Sequence, residues 1–138
     1  MAKTNDIIEN PIMGDIVKFL ITSHDSNSQN LKVYVWNTVG AQRPPEHRHP
    51  KQIETFVIVS GTAGFKLNGK EQILTSGQTV TVPMNTPHKF WNAGSNELEM
   101  TGELKPALRT EFFLETMYSL SQKGKVNKNA IPKNFCIL

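Results

Sequence analysis

Three of the four histidines in the chain lie in its middle portion, together with a suitably spaced glutamate. His47 and His49 are two positions apart, so on extended backbone both imidazoles project from the same face. A proline then breaks the strand, and the turn that follows brings Glu54, at the start of the next apolar segment, to the same point. His88 arrives from a separate strand through a rigid turn at residues 83 to 87, which contains two prolines. We expect these four side chains to converge on one metal ion.

The ligand set indicates which metals are suitable. Three neutral imidazoles and one carboxylate suit divalent Fe, Mn, Co, Ni, Cu or Zn and match Ca or Mg poorly, and the pattern does not select among the six. An octahedral ion held by four side chains keeps open positions for water, dioxygen or a substrate. Glu54 is therefore a candidate catalytic base as well as a candidate ligand.

The elements that position these ligands are predicted to be short strands. Residues 16 to 22 and 31 to 37 fit a pleated surface, and the polar cluster between them predicts an antiparallel hairpin. Asn68 and Gly69 supply the positive φ angles of a two-residue hairpin between two further strands. The segment at residues 54 to 59 is apolar on both faces, which predicts cover on both sides. Further strands are predicted at residues 64 to 67, 71 to 74, 80 to 82, 88 to 91 and 98 to 104. Turns recur about every ten residues without intervening helices, so the pattern predicts an all-β sandwich or barrel.

Strand alternation also predicts a pocket beside the metal. Phe56 and Ile58 share the side of Glu54, and Phe90 shares the side of His88. An apolar, partly aromatic lining suits a small organic ligand or substrate. We therefore predict a substrate pocket formed by Phe56, Ile58 and Phe90.

Three polar side chains near the ligands have more ordinary interpretations. Gln52 and Arg43 reach the mouth of the pocket in one interpretation, but solvent-exposed loop positions are the commoner outcome for such residues. Asn92 is expected to bond nearby backbone at a strand end and not to bind the metal.

The period of the apolar residues changes near the C-terminal end, where a helix at about residues 110 to 123 is predicted. Thr110 is expected to cap its start and Gly124 to end it. Its apolar stripe, expected to pack against the outside of the barrel, consists of Phe113, Met117 and Leu120. The last residues, Cys136 to Leu138, are expected to add a docked segment.

Length and composition predict one soluble domain over residues 1–138, with the barrel core at about residues 15 to 105. No apolar run has the length of a membrane span and no secretory signal is visible, so no membrane partner and a cytoplasmic location are expected. The single cysteine, Cys136, agrees with a reducing compartment.

The net charge of +3 does not predict a nucleic-acid partner, because the 15 basic residues are scattered among 12 acidic ones along the chain. The basic residues concentrate only near the end, where no aromatic side chains interleave with them to form a phosphate-binding and base-stacking surface. These residues are Lys123, Lys125, Lys128 and Lys133.

The spacing of these residues resembles the two signature motifs of the cupin superfamily. The first runs Gly40-x6-His47-x-His49-x4-Glu54-x6-Gly61, and the second runs Gly77-x5-Pro83-x-Asn85-x2-His88-x3-Asn92. The resemblance implies a double-stranded β-helix, or jelly-roll, cupin barrel. It also implies that the two histidines and the glutamate of the first motif and the histidine of the second bind a metal. The end of the chain, from Pro106, is similar to the C-terminal helix of small bacterial single-domain cupins.

Two departures from the motifs are visible, and neither changes a candidate ligand. Gly40 lies one residue further from the histidine pair than is usual. Asn85 replaces the usual glycine, and the turn can survive because asparagine tolerates the left-handed conformation.

Several functions fit these features. The leading hypothesis is a metal-dependent enzyme that acts on a small molecule, with a dioxygenase-type oxidoreductase in first place. The alternatives are a non-catalytic sensor or carrier that binds a sugar or carboxylate, and an isomerase or epimerase. No helix-turn-helix pattern is present, which disfavours a transcription regulator. Exposed sheet edges tend to pair, and cupins commonly form dimers in this way, so a homodimer is expected.

Overall fold

Within residues 2–11, 13–41 and 45–122, the ranges that the computed structural model describes, the chain forms nine strands and one helix. In chain order these are β1 (Ile7–Asn10), β2 (Asp15–Ile21), β3 (Leu31–Asn37), β4 (Ile53–Ser60), β5 (Thr62–Leu67), β6 (Lys70–Thr75), β7 (Thr79–Val82), β8 (His88–Asn92), β9 (Leu98–Lys105) and α1 (Thr110–Gln122). The predicted all-β class with a C-terminal helix is confirmed. Strand β1, which was not predicted, is short, and its Ile7 is exposed.

The strands form two antiparallel sheets. The larger has the order β1-β2-β3-β9-β4-β7, and the smaller has the order β6-β5-β8. Because β9 lies between β3 and β4, and β8 pairs with β5, the chain crosses repeatedly from one sheet to the other. The predicted jelly-roll barrel is therefore confirmed, as is the predicted hairpin between β2 and β3.

The core lies between the two sheets. Phe56 and Ile58 of β4 pack with Met100 of β9 on the inner face of the larger sheet, and Phe65 of β5 meets them from the smaller one. Burying each of these side chains contributes about 1.5 to 3 kcal/mol. The expectation that β4 is covered on both faces is wrong, because Val59 on its outer face is 41% exposed.

The turn chemistry follows the sequence closely. Asn68 and Gly69 have φ angles of 49° and 83° and join β5 to β6, so the predicted two-residue hairpin is confirmed. Asn92 donates from Nδ2 to the carbonyls of Asn37 and Asn96, as expected of a structural residue at a strand end.

The helix packs differently from the prediction. Phe113, expected in its buried stripe, is 49% exposed, whereas Glu111 and Tyr118 are buried and Leu114 is partly buried. Tyr118 contributes to the same apolar cluster as Val17 on the inner face of β2, and Met117 of the predicted stripe packs against that cluster, so α1 covers part of the core with a face that differs from the prediction at Phe113. Thr110 is the first helical residue, and its hydroxyl accepts a hydrogen bond from Gln52.

Several expectations concern parts of the chain beyond the described ranges. These are the Gly124 helix end, the four lysines near the C-terminal end, and the docked segment that contains Cys136. Within the described ranges, no helix combines the length and apolar character needed to cross a membrane.

Candidate metal centre

Backbone hydrogen bonds place the histidine-bearing segments next to each other. His47 and His88 form an isolated antiparallel bridge in which each amide donates to the other's carbonyl, at 3.0 and 2.9 Å. The amide of Asn85 donates to the carbonyl of His49 at 2.8 Å. Asn85 has a φ of 57°, so it does adopt the left-handed conformation that allows it to replace glycine. The main chain thus joins the segments of the two motifs before any side chain is considered.

Two of the imidazoles are oriented by carbonyls of their own loops. The Nδ1 atom of His47 lies 3.0 Å from the carbonyl oxygen of Pro45, and Nδ1 of His88 lies 2.8 Å from that of Thr86. A ring N–H on Nδ1 donates to each carbonyl, so Nε2 of the neutral ring carries the free lone pair. Metal ligation through Nε2 requires this tautomer.

Glu54 completes the cluster from β4. Its Oε1 atom is 3.1 Å from Nε2 of His88 and 3.5 Å from Nε2 of His49. The potential ligand atoms of all four residues, including His47, lie within 4.8 Å of one another. The structure therefore brings together all four residues that the sequence singled out.

The electrostatics of the cluster depend on burial and on the contacts between its members. Burial raises the pKa of Glu54, but hydrogen bonds from His49 and from the protonated ring of His88 outweigh burial and leave that pKa lowered. Burial lowers the pKa of His88, but its hydrogen bonds to Glu54 and to the Thr86 carbonyl leave that pKa raised. Although His47 as a residue is exposed, the protein groups packed around its ring, including His49 and His88, partly desolvate the ring and lower its pKa, which favours the neutral form that binds metals.

The donor set fits a transition metal. Donor atoms around one ion, at bond lengths of about 2.0 to 2.2 Å, lie about 3 to 4 Å apart, so only small side-chain movements separate the cluster from a coordination sphere. Without a cation, the ionised carboxylate of Glu54 and the lone pair on Nε2 of His88 would repel each other at 3.1 Å. A proton or a metal ion between them removes this repulsion.

The cluster is open to solvent on the side of His47. His88 is buried, Glu54 and His49 are partly buried, and His47 is exposed. A surface depression of about 580 Å³ is lined by His47 and its neighbours Glu46, Arg48, Asn68, Gly69 and Pro87. A groove of about 620 Å³ along α1 is larger but contains none of the four candidate ligands. The donor cluster therefore locates the candidate site better than cavity size does.

The predicted pocket residues lie deeper in the barrel. Phe56 and Ile58 are 6% and 1% exposed and belong to the apolar core, whereas Phe90 is partly buried. The ring centroids of Phe56 and Phe90 are each about 6 Å or less from that of Phe65, so the three rings form an aromatic cluster. The side chains of Phe56 and Glu54 lie on the same face of β4, so this cluster continues inward from the ligands.

The structure gives Gln52 a role that the sequence did not indicate. Its side chain is buried, and it bonds to the segment between β9 and α1 instead of reaching a pocket mouth. An isolated glutamine in a loop carries no signal for such a contact, because the partners are distant in the chain. Arg43, the other residue expected near the mouth, lies outside the described residues.

Comparisons with known proteins agree with this architecture. The profile of the family described as "Cupin domain" matches residues 37–102, which include all four candidate ligands. "Probable oxidoreductase virH" from Hypocrea virens is 39% identical over 62 residues, covering 44% of this chain and 28% of that protein. The chain thus spans less than a third of the length of this curated relative.

Solved structures show the same fold. A RmlC-like cupin from Shewanella frigidimarina has a TM-score of 0.66 at 19% identity, with 80% of this chain and 92% of that chain covered. A predicted oxalate decarboxylase from Thermotoga maritima also has a TM-score of 0.66, at 20% identity, with coverage of 75% and 92%. Together with the jelly-roll topology, these similarities show that the chain has the cupin fold, and residues 37–102 match the cupin domain.

Proposed function

We propose that this protein binds one divalent transition metal ion through His47, His49, Glu54 and His88. The observation that carries the proposal is the convergence of their ligand atoms within 4.8 Å. The carbonyl contacts at Nδ1 of His47 and His88 add support, because they point Nε2 of each ring into the cluster. Fe, Mn, Co, Ni, Cu and Zn all suit this donor set.

We propose further that the metal centre serves a dioxygenase-type oxidation of a small organic molecule. When bound, the metal would supply a Lewis acid and open positions at which an organic anion and dioxygen meet. The depression beside His47 gives a small molecule access, and the aromatic cluster that includes Phe56 and Phe90 offers an apolar surface behind the ligands. The name of the relative from Hypocrea virens, an oxidoreductase, agrees with this reaction class.

Glu54 has two parts in this proposal. Its lowered pKa keeps the carboxylate ionised at neutral pH, as a ligand must be. The same carboxylate is the candidate catalytic base, since it would lie beside any substrate that enters the cluster. Phe56, Ile58 and Phe90 are proposed to line the substrate side, with Phe90 the most accessible of the three.

An oxygen-uptake assay tests the enzymatic part. The metal-free protein is reconstituted anaerobically with Fe(II) and then exposed to oxygen with a panel of small phenols, diketones and thiols. Substrate-dependent oxygen consumption that is lost in His49→Ala but kept in His24→Ala supports a dioxygenase. His24 is the fourth histidine and lies exposed in the loop between β2 and β3, so it is a matched control.

The same samples separate the alternative functions. A panel of sugars and carboxylates that raises the melting temperature without turnover would favour a binding or sensor protein. Chemical conversion without oxygen uptake would favour an isomerase or epimerase. Either result would contradict the dioxygenase proposal while leaving the metal site intact.

A homodimer and a cytoplasmic location complete the proposal. In the described residues, β1 and β7 are the outer strands of the larger sheet, and β6 and β8 are those of the smaller one. Such edges offer main-chain groups for pairing between copies. Sedimentation of the purified protein at several concentrations tests the dimer, and a sedimentation coefficient of a monomer throughout would contradict it.

A further inference from the structure

Gln52 lies in the segment that connects two candidate ligands, His49 and Glu54. Its side chain is 5% exposed, although the neighbouring residues Lys51 and Ile53 are exposed. A buried glutamine needs hydrogen-bond partners, because an amide left unpaired in the interior destabilises the folded state. The hydrogen bonds of the Gln52 side chain therefore indicate its structural role.

The Gln52 amide is bonded to the junction of β9 and α1. Its Nε2 atom lies 2.8 Å from the carbonyl oxygen of Pro106, 3.0 Å from that of Ala107 and 2.9 Å from Oγ1 of Thr110. One side chain thus gathers three acceptors, which belong to residues 54 to 58 positions further along the chain.

The helix that receives this contact is itself held at several points. The side chain of Glu111 accepts hydrogen bonds from the amide and hydroxyl of Ser23, both at 2.8 Å. Tyr118 bonds to Asp15 at the start of β2. Because α1 is fixed to the sheet in this way, its first turn is a firm support for Gln52.

We propose that Gln52 is a positioning residue for the metal centre. Its amide ties the segment between His49 and Glu54 to the β9–α1 junction and holds both ligands in register with His88. Metal binding and the packing of α1 against the sheet are therefore coupled, so that each favours the other. This inference rests on the proposed metal-binding function.

The coupling predicts a measurable change in metal affinity and a measurable change in hydrogen exchange at the start of α1. Outer contacts that orient metal ligands change metal affinity by about 10- to 100-fold when they are removed. Gln52 acts on the ligands through the main chain, so we expect a loss near the lower end of this range, about tenfold. In return, metal binding should slow amide hydrogen exchange in residues 107 to 114.

The test compares wild-type protein with Gln52→Leu and with a control, Leu74→Ala. Leucine at position 52 keeps the size of the side chain and removes its donors. Leu74 is a buried residue of β6, so its truncation destabilises the core without touching the Gln52 contacts. Co(II) affinity is measured by absorption titration, and hydrogen exchange is measured with and without Co(II).

The proposal expects Gln52→Leu to bind Co(II) about tenfold more weakly and to lose the metal-dependent protection of residues 107 to 114. Leu74→Ala should keep both properties. Wild-type affinity in Gln52→Leu, or an equal loss in Leu74→Ala, would overturn the positioning role and leave the metal site standing. Wild-type protein that binds no Co(II) would instead overturn the proposed function, and the positioning role with it.

If Gln52→Leu does not fold, Thr110→Val provides the second variant. It removes one of the three acceptors and leaves the glutamine paired to the two carbonyls. A smaller loss of Co(II) affinity with partial loss of the protection is expected. Unchanged affinity and unchanged protection would contradict the proposal.

Discussion

Nε2 of His88 lies 3.1 Å from Oε1 of Glu54, although the two residues are 34 positions apart and belong to different sheets. Glu54 is in β4 of the larger sheet, and His88 begins β8 of the smaller one. The candidate metal centre therefore bridges the two layers of the barrel. A cation held there would link the sheets directly and add to the apolar contacts between them.

Removing an imidazole from the cluster should weaken metal binding strongly. We expect His88→Ala and His49→Ala each to lower the affinity for Zn(II) by more than about 100-fold, since even outer contacts account for about 10- to 100-fold. His24→Ala should bind like the wild type, because His24 is exposed and distant in the chain from the cluster. Competition titration with a chelating dye measures all three. Equal affinities across the series would rule out the assigned ligands.

As the pH rises from about 4 to about 6.5, the ionisation of Asp15 should lower the free energy of unfolding of the metal-free protein. Burial raises the pKa of Asp15 from 3.8 to about 6, although hydrogen bonds from Asn37 and Tyr118 oppose the rise. Over this pH range the folded state holds a proton on Asp15 that the unfolded state releases. The stability that this proton contributes is complete below the pKa of Asp15 in the unfolded chain, and it is lost as the pH rises through about 6. The shift corresponds to at most about 3 kcal/mol of unfolding free energy.

Urea unfolding at several pH values measures this effect. Asp15→Asn should remove that part of the pH dependence, and Tyr118→Phe should destabilise the protein more at pH 7 than at pH 4, because the lost bond is to an ionised carboxylate only at the higher pH. Parallel pH profiles for the wild type and Asp15→Asn would contradict this account.

Gly64→Ala should displace the indole of Trp91. A Cβ atom at Gly64 would lie 2.1 Å from Cε2 of Trp91, which pairs with Gly64 across β5 and β8. Overpacking of this kind costs about 1 to 3 kcal/mol. Gly102→Ala is the control, since its Cβ would meet Phe56 at an ordinary distance of 3.4 Å. Both variants are compared by their urea midpoints and by their tryptophan emission in a Trp36→Phe background. An unchanged urea midpoint and unchanged emission in Gly64→Ala would contradict the prediction.

Much of the candidate site could be predicted from local rules. His47 and His49 share a face because strand residues alternate, and Asn85 can take the left-handed turn that delivers His88. The hairpin at Asn68 and Gly69 follows from the same kind of short-range chemistry. These features depend on residues within a few positions of each other, which is why the sequence alone indicates them.

The features that could not be predicted depend on distant partners. Glu111 is buried because Ser23 satisfies its carboxylate, so the helix turns a charged residue inward and leaves Phe113 exposed. Gln52 is buried because the β9–α1 junction supplies its acceptors. Apolar periodicity treats both polar residues as exposed, so it placed Phe113 wrongly on the buried side of α1 and missed the contact of Gln52 with the β9–α1 junction.

X-ray absorption spectroscopy of the Zn(II)-loaded protein tests the central claim most directly. The account predicts one Zn(II) per chain, with a first shell of nitrogen and oxygen at about 2.0 to 2.2 Å and outer scattering from three imidazoles. In Glu54→Ala, an oxygen of the carboxylate should be lost from that shell while the imidazole scattering remains. A sulfur shell, or a first shell without imidazole, would show that the ion binds elsewhere and that the four side chains do not form its site.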